Sequence, residues 1–220
     1  MKNTRRLRIL CGELRPCGRF ADVGCDHGYC TLYMLERGLC RTAVISDISA
    51  GSLHKAELLL ADYIAAGRVQ SVCCAGLAGI PRDTEEVLIA GMGGEEILSI
   101  LKDGFLPPVL VLQPMKHAPK LRRFLLESGY AIERDYTFTD GKHYDLLRAV
   151  RGGDMRAYSA REIEFGYDNI HTPTEEFVSL LKEESEKCRA RLAAAGKLVP
   201  AVEARLRELT EVIHEVTRDL

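Results

Sequence analysis

The chain has 220 residues, enough for one α/β domain of average size and a modest extension. With 46% hydrophobic and 28% charged residues it is neither disordered throughout, nor a disulfide-stapled miniprotein, nor a collagen-like rod. The formal net charge is −2, so a nucleic-acid partner has to be held by local patches and not by the overall field. The longest apolar stretch, Leu58 to Ala66, is interrupted by Asp62 and is too short to span a bilayer. No long apolar run follows the basic N-terminus, so no secretory signal is expected. Cysteines at 11, 17, 25, 30, 40, 73, 74 and 188 form no Cys-x-x-Cys and no zinc-site spacing. They read as reduced thiols serving as small hydrophobes in a cytoplasmic protein that holds no metal.

A basic amphipathic helix opens the chain, with Leu7, Leu10 and Leu14 among Arg5, Arg6, Arg8 and Arg15. Strands and helices then alternate. Arg19–Gly24 reads as a strand, Thr31–Arg37 as a helix capped by Gly38, and Thr42–Asp47 as a second strand. Ser52–Ala66 reads as one helix closed by Gly67. Val69–Cys74, Val87–Ala90 and Val109–Leu112 are short, apolar and rich in β-branched residues, as strands buried on both faces of a parallel sheet are. Glu95–Lys102 and Lys120–Ser128 fill two helix slots. Ala131–Phe138 and His143–Val150 flank Asp140-Gly141, a hairpin signal, so the sheet is expected to end antiparallel.

Beyond Gly152-Gly153 the pattern changes, and the chain divides into residues 1–152 and 153–220. Thr172, Pro173 and Glu175 read as a helix start, with Thr172 as the cap. One apolar stripe follows at Phe177, Leu181, Cys188 and Leu192. After Gly196 and Pro200 a second runs Val202, Leu206, Leu209, Ile213, Val216, Leu220, in coiled-coil steps. Two such helices make an antiparallel hairpin.

The chemistry concentrates in Ala21-Asp22-Val23-Gly24-Cys25-Asp26-His27-Gly28-Tyr29, between an apolar strand and a helix. That is where doubly wound folds bind nucleotides. A dinucleotide loop needs glycine in the middle, where this one has Asp26. Two carboxylates, Asp22 and Asp26, would repel a pyrophosphate and suit a cationic ligand such as S-adenosylmethionine, which carries a sulfonium and an ammonium. Asp47, ending the second strand, can take the ribose hydroxyls of either kind of ligand. Gly91-Met92-Gly93-Gly94 ends the fourth strand, and its glycines allow close backbone approach; a plain flexible turn would look the same. Gln113-Pro114-Met115-Lys116-His117 ends the fifth. With Lys120, Arg122 and Arg123 it makes a basic cluster that reads either as a phosphate contact or as a solvated helix face.

Taken jointly, Asp22-x-Gly24-x-Asp26-His27, Asp47, Gly91-Met92-Gly93-Gly94, Gln113-Pro114, Asp140-Gly141-Lys142-His143-Tyr144 and the helical tail resemble the TrmK family of bacterial tRNA (adenine-N1)-methyltransferases. The resemblance is strongest from Ala21 to Ala149. It implies a Rossmann-like α/β class I methyltransferase sheet, mostly parallel, with a C-terminal coiled coil, and methylation of N1 of adenine 22 in tRNA. It implies S-adenosyl-L-methionine as cofactor, held by Asp22, Gly24, Asp26, His27, Gly28, Tyr29, Asp47, Ile48, Gly76, Gly91, Met92 and Gly93. Three positions depart from the family pattern. Cys74-Ala75-Gly76-Leu77 stands where Gly-Asp-Gly-Leu is usual, Met115 where Asn is common, and Gly28 where Ala is common.

Methyl transfer from a sulfonium needs the adenine N1 lone pair in line with the methyl group, and N1 first has to be exposed. The product base is cationic, so Asp26 is the catalytic candidate, with a purely cofactor-binding role as its alternative. His27 joins it, and Tyr29 and His117 offer further flat faces for the base. Arg5, Arg6, Arg8, Lys116, His117, Lys120, Arg122 and Arg123 are the expected RNA contacts, extended by Lys187, Arg189 and Arg191 of the tail. The expected assembly is a monomer or weak dimer. The rival readings are a methyltransferase of another RNA or of a small molecule, and a methyltransferase-like RNA-binding module without activity. Asp26 argues against a dehydrogenase.

Overall fold

The computed structural model describes residues 4–195 and 199–218. Seven strands form one sheet: β1 (Cys17–Val23), β2 (Cys40–Asp47), β3 (Val69–Cys73), β4 (Glu86–Met92), β5 (Val109–Pro114), β6 (Tyr130–Thr139) and β7 (His143–Arg151). Their order is β3-β2-β1-β4-β5-β7-β6. The pairs among β1 to β5 are parallel, and β7 runs antiparallel to both β5 and β6. Chain order reverses between β1 and β4. That opens a crevice at their carboxyl ends, the ligand position of open α/β sheets.

The central strands are buried on both faces, as their unbroken apolar runs predict. Phe20, Leu88 and Val111 point into one core with Leu10, Met34 and Leu53. Their neighbours Ala21, Val87, Ile89, Leu110 and Leu112 point into the other with Ile97, Leu101, Leu121 and Leu125. The first core lies under α1 (Arg5–Glu13), α2 (Tyr29–Glu36) and α3 (Ala50–Leu59), the second under α5 (Gly94–Asp103) and α6 (Ala118–Glu127). β3 differs from the expectation. It is an edge strand, and of its five residues only Val69 is buried.

Several local expectations are corrected. The helix expected over 52–66 breaks at Leu60 into α3 and α4 (Ala61–Ala65), although hydrogen bonds from Leu60 to Ala56 and from Ile64 to Leu60 cross the break. Leu60 is fully buried, within reach of the Gly28 backbone. The hairpin forms at Asp140-Gly141 with a three-residue turn: the Asp140 N–H donates to the Lys142 carbonyl, with Gly141 at φ +75°. Two short helices, α7 (Ala160–Phe165) and α8 (Tyr167–His171), occupy a stretch that carried no helix expectation. Thr174, not Thr172, caps α9 (Glu175–Ala195), its hydroxyl accepting the Phe177 N–H at 3.2 Å.

α9 packs on α10 (Pro200–Val216) around Phe177, Leu181, Leu209, Val212 and Val216. Val212 carries the buried seam where the expected stripe had Ile213, which is only partly covered. Gly196 and Leu220 lie outside the described residues. β7 ends one residue before the expected division at 152/153, and α8 and α9 then pack back on β6. Among the described residues no helix is long and apolar enough to cross a membrane.

Candidate active site

β1 delivers Asp22 to the crevice from a position walled by β2 and β4. The side chain is 5% exposed, and its hydrogen-bond partner is the Thr31 hydroxyl at 3.0 Å. Burial pushes its pKa up to about 7; the bonds from Thr31 pull the other way, and Asp47 adds a little to the rise. The chain then turns tightly. Gly24 (φ +72°) and Cys25 both donate to the Ser46 carbonyl, at 2.8 and 3.1 Å, which ties the loop to β2. Gly28 sits at φ +71° before α2, and a Cβ there would lie 3.0 Å from that of Ala56, so glycine relieves both a left-handed backbone and a tight contact. Asp26 holds φ +45°, an uncommon conformation for a residue with a side chain.

Asp26 is exposed at the mouth, 3.7 Å from both Lys55 Nζ and His27 Nε2. The His27 and Tyr29 rings stack at 5.4 Å between centroids. A cavity of about 290 Å³ lies here, lined by Arg6, Asp22, Gly24, Asp26, His27 and Tyr29 and closed by α1 through Leu7 and Leu10. Asp47 ends β2 beside it, its Oδ1 accepting the Ser49 N–H at 2.8 Å, and the next residue, Ile48, is 78% exposed. The Cys74 N–H donates to the Asp47 carbonyl, which brings in the loop that holds Gly76. Gly76 itself is packed on Ile100 of α5, 3.1 Å from where its Cβ would be.

At the end of β4, Met92 reaches across to Gly24, and Gly91 (φ +84°) lies against the Arg6 guanidinium. Gly93 caps α5 in extended conformation. A side chain on Gly94 would meet the Lys116 carbonyl at 2.4 Å, so this glycine lets α5 seat against the loop after β5. Just before that loop, at the end of β5, Gln113 is fully buried and accepts from Arg6 Nε at 2.7 Å. Among the described residues no group of three metal-ligating side chains occurs, and all eight cysteines are unbridged.

The expected RNA contacts separate into three kinds. Arg8, Lys116, His117, Lys120 and Arg123 are exposed, Lys120 paired with Glu95. Arg5 pairs with Glu176 of α9, and Arg6 lies inside the cavity and not on the outer rim. Arg122 contradicts the expectation outright. It is 1% exposed and bonded to Asp135 through Nε at 2.9 and 3.0 Å, so no phosphate can reach it. Sequence reasoning also missed Thr31, which bonds Asp22, and Lys55, which faces Asp26, because local spacing does not announce these contacts.

A methyltransferase domain model matches residues 3–147. The chain belongs to the methyltransferase-domain family. A Mycoplasma pneumoniae protein provisionally named a tRNA methyltransferase is 36% identical over 133 residues, 60% of this chain and 62% of that relative. The Bacillus subtilis tRNA (adenine(22)-N(1))-methyltransferase is 28% identical over 172 residues, 76% of this chain and 72% of its own. A Streptococcus pneumoniae protein, described as a candidate tRNA (m1A22) methyltransferase and solved in complex with S-adenosyl-L-methionine, superposes with a TM-score of 0.86. It is 25% identical, and the match covers 96% of this chain and 99% of that one. These likenesses bear out the TrmK resemblance drawn from the sequence.

Proposed function

We propose that this protein transfers a methyl group from S-adenosylmethionine to N1 of adenine 22 in tRNA. The observation that carries the reading is the buried Asp22 carboxylate beside a glycine loop at the switch point of the sheet. A carboxylate held there with no cationic partner among the described residues favours a ligand that brings positive charge, as this cofactor does. The residues fit the group. Gly24 lets the backbone approach it, and Asp47 with exposed Ile48 ends the adjacent strand, within reach of a nucleoside. The cofactor supplies an electrophilic methyl group; the protein's part is alignment and charge.

Asp26 is the proposed catalytic carboxylate. At the mouth of the cavity, a carboxylate can stabilise the cationic base formed on methylation. The stacked His27–Tyr29 pair gives the mouth a flat aromatic face suited to an unstacked base. Arg8, Lys116 and Arg123 are the exposed cations proposed to meet tRNA phosphates, and residues 153–220 the arm that positions the substrate. The test is incubation of purified protein with unmodified tRNA and labelled S-adenosylmethionine, followed by mapping of the modified base. Label at another base would change the substrate assignment. Cofactor binding with no label in any RNA would favour a binding module.

A further inference from the structure

We propose that Arg6 is a ligand-binding residue of the cofactor cavity, taking the α-carboxylate of the cofactor's amino-acid end; this rests on the S-adenosylmethionine reading above. Three elements far apart in sequence hold this residue, two of them through its side chain. Its backbone N–H donates to Asp140 Oδ2 at 2.9 Å, its Nε donates to Gln113 Oε1 at 2.7 Å, and its guanidinium lies 5.4 Å over the Tyr144 ring. Gln113 is itself fixed, fully buried and donating its amide N–H to the Pro114 carbonyl at 3.1 Å. Its oxygen therefore faces Arg6. The guanidinium is aimed along the carboxyl edge of the sheet, where a side chain on Gly91 would meet Nη2 at 2.9 Å.

Charge decides what such a group is for. The contacts that hold the guanidinium are neutral, an amide oxygen and a ring face. Asp22, on the same cavity wall, takes the Thr31 hydroxyl and not Arg6. The cavity thus presents a carboxylate and a guanidinium that do not neutralise each other. A zwitterion with ammonium and carboxylate on one carbon answers both, and a planar guanidinium is suited to a carboxylate. An RNA phosphate fits less well, because it would have to enter past the carboxylates of Asp26 and Asp22. Arg5, the preceding residue, faces elsewhere, pairing with Glu176 and donating to the Thr139 carbonyl.

The test is titration calorimetry of the full chain with S-adenosylmethionine and with its decarboxylated analogue, which keeps the sulfonium and the amine. Wild type should bind the analogue about 10- to 100-fold more weakly, the loss of a charged hydrogen-bond pair. Arg6→Ala should weaken S-adenosylmethionine by a similar factor and bring the two ligands to equal affinity. Arg6→Gln, which retains a donor toward Gln113 and so protects the fold, should also collapse the ratio, and Arg6→Lys should restore part of it. Equal weakening of both ligands would overturn the assignment in favour of packing alone. Unchanged S-adenosylmethionine affinity with a shallower salt dependence of tRNA binding would overturn it in favour of a phosphate contact. If wild type bound neither ligand, the cofactor reading itself would fall, an outcome distinct from both.

Discussion

Asp22, at the carboxyl end of β1, and Asp135, within β6, are both almost completely buried, at 5% and 1% exposure. Their surroundings differ. Asp135 accepts from Arg122 Nε on both oxygens, from the Tyr167 N–H at 3.1 Å and from the Tyr158 hydroxyl at 3.3 Å. Arg122 Nη1 donates to the carbonyls of Ile163 and Glu164. Burial works against the Arg122 charge, but Asp135 and Asp145 outweigh it and hold the pKa above its ordinary value. This network joins α6 and β6 to α7 and α8, and Asn169 extends it by bonding the Thr137 N–H and hydroxyl. Among the described residues Asp22 is bonded by Thr31 alone. A buried carboxylate with a complete set of donors binds two parts of the fold together. One without a cation costs the free protein stability and leaves an interaction for a ligand to make.

Removing each carboxylate should separate the two roles. Asp135→Ala removes the nearer of two carboxylates that face the buried Arg122 guanidinium, Asp145 staying 3.6 Å from Nη2, with an expected loss of about 3 kcal/mol in urea unfolding of the full chain. A loss below about 1 kcal/mol would show that water reaches Arg122 and that the network does not carry the junction. Asp22→Asn should go the other way. At pH 8 the unfolding free energy should hold or rise by on the order of 1 kcal/mol, because an ionised buried group has been replaced by a neutral one. S-adenosylmethionine affinity should nonetheless fall about 10-fold or more in calorimetry. Asp22→Asn destabilising as much as Asp135→Ala would end the distinction.

The pH dependence sharpens the same contrast. Burial raises the Asp22 pKa to about 7, above its value in the unfolded chain, so the folded form binds that proton more tightly. The contribution to stability is complete below the unfolded carboxylate pKa and is lost as pH rises through about 7. Glu86, also pushed up to about 7 by burial, against the pull of Arg148, behaves alike and is present in both proteins. The wild type should therefore lose stability relative to Asp22→Asn between about pH 4 and pH 7, read by urea titration at each pH. A difference independent of pH would place the Asp22 titration elsewhere.

The smallest expected effect concerns two neighbours on α6. Arg123 is exposed where Arg122 is buried, so Arg123→Ala should lower the salt slope of tRNA binding by about one unit and leave thermal stability within about 0.5 kcal/mol. An unchanged slope, measured by filter binding across a salt series, would make Arg123 a solvated helix residue only.

Much of the cofactor side was legible because local chemistry wrote it. Apolar β-branched runs marked the central strands, and Gly24, Gly28 and Gly91 occupy positive-φ positions that a glycine-containing turn announces. The capping box of α7 was legible too, since Ser159 and Glu162 have the required spacing and make both bonds. Its polar neighbours mask it, and two threonines two residues apart offer α9 competing caps of which only packing selects Thr174.

The sequence by itself determined the alternation of strands and helices, the antiparallel end of the sheet and the loop that carries Asp22 and Asp26, because each depends on residues within a few positions of one another. Which arginine serves which purpose was decided only by tertiary structure. Arg6, Arg122 and Arg123 are chemically identical in the chain. Arg6 meets Gln113 and Asp140 across separations of 107 and 134 residues, and Arg122 meets Asp135 only because β6 lies alongside α6. A guanidinium's role follows from what surrounds it, and no local pattern in a sequence of ordinary charge records those surroundings.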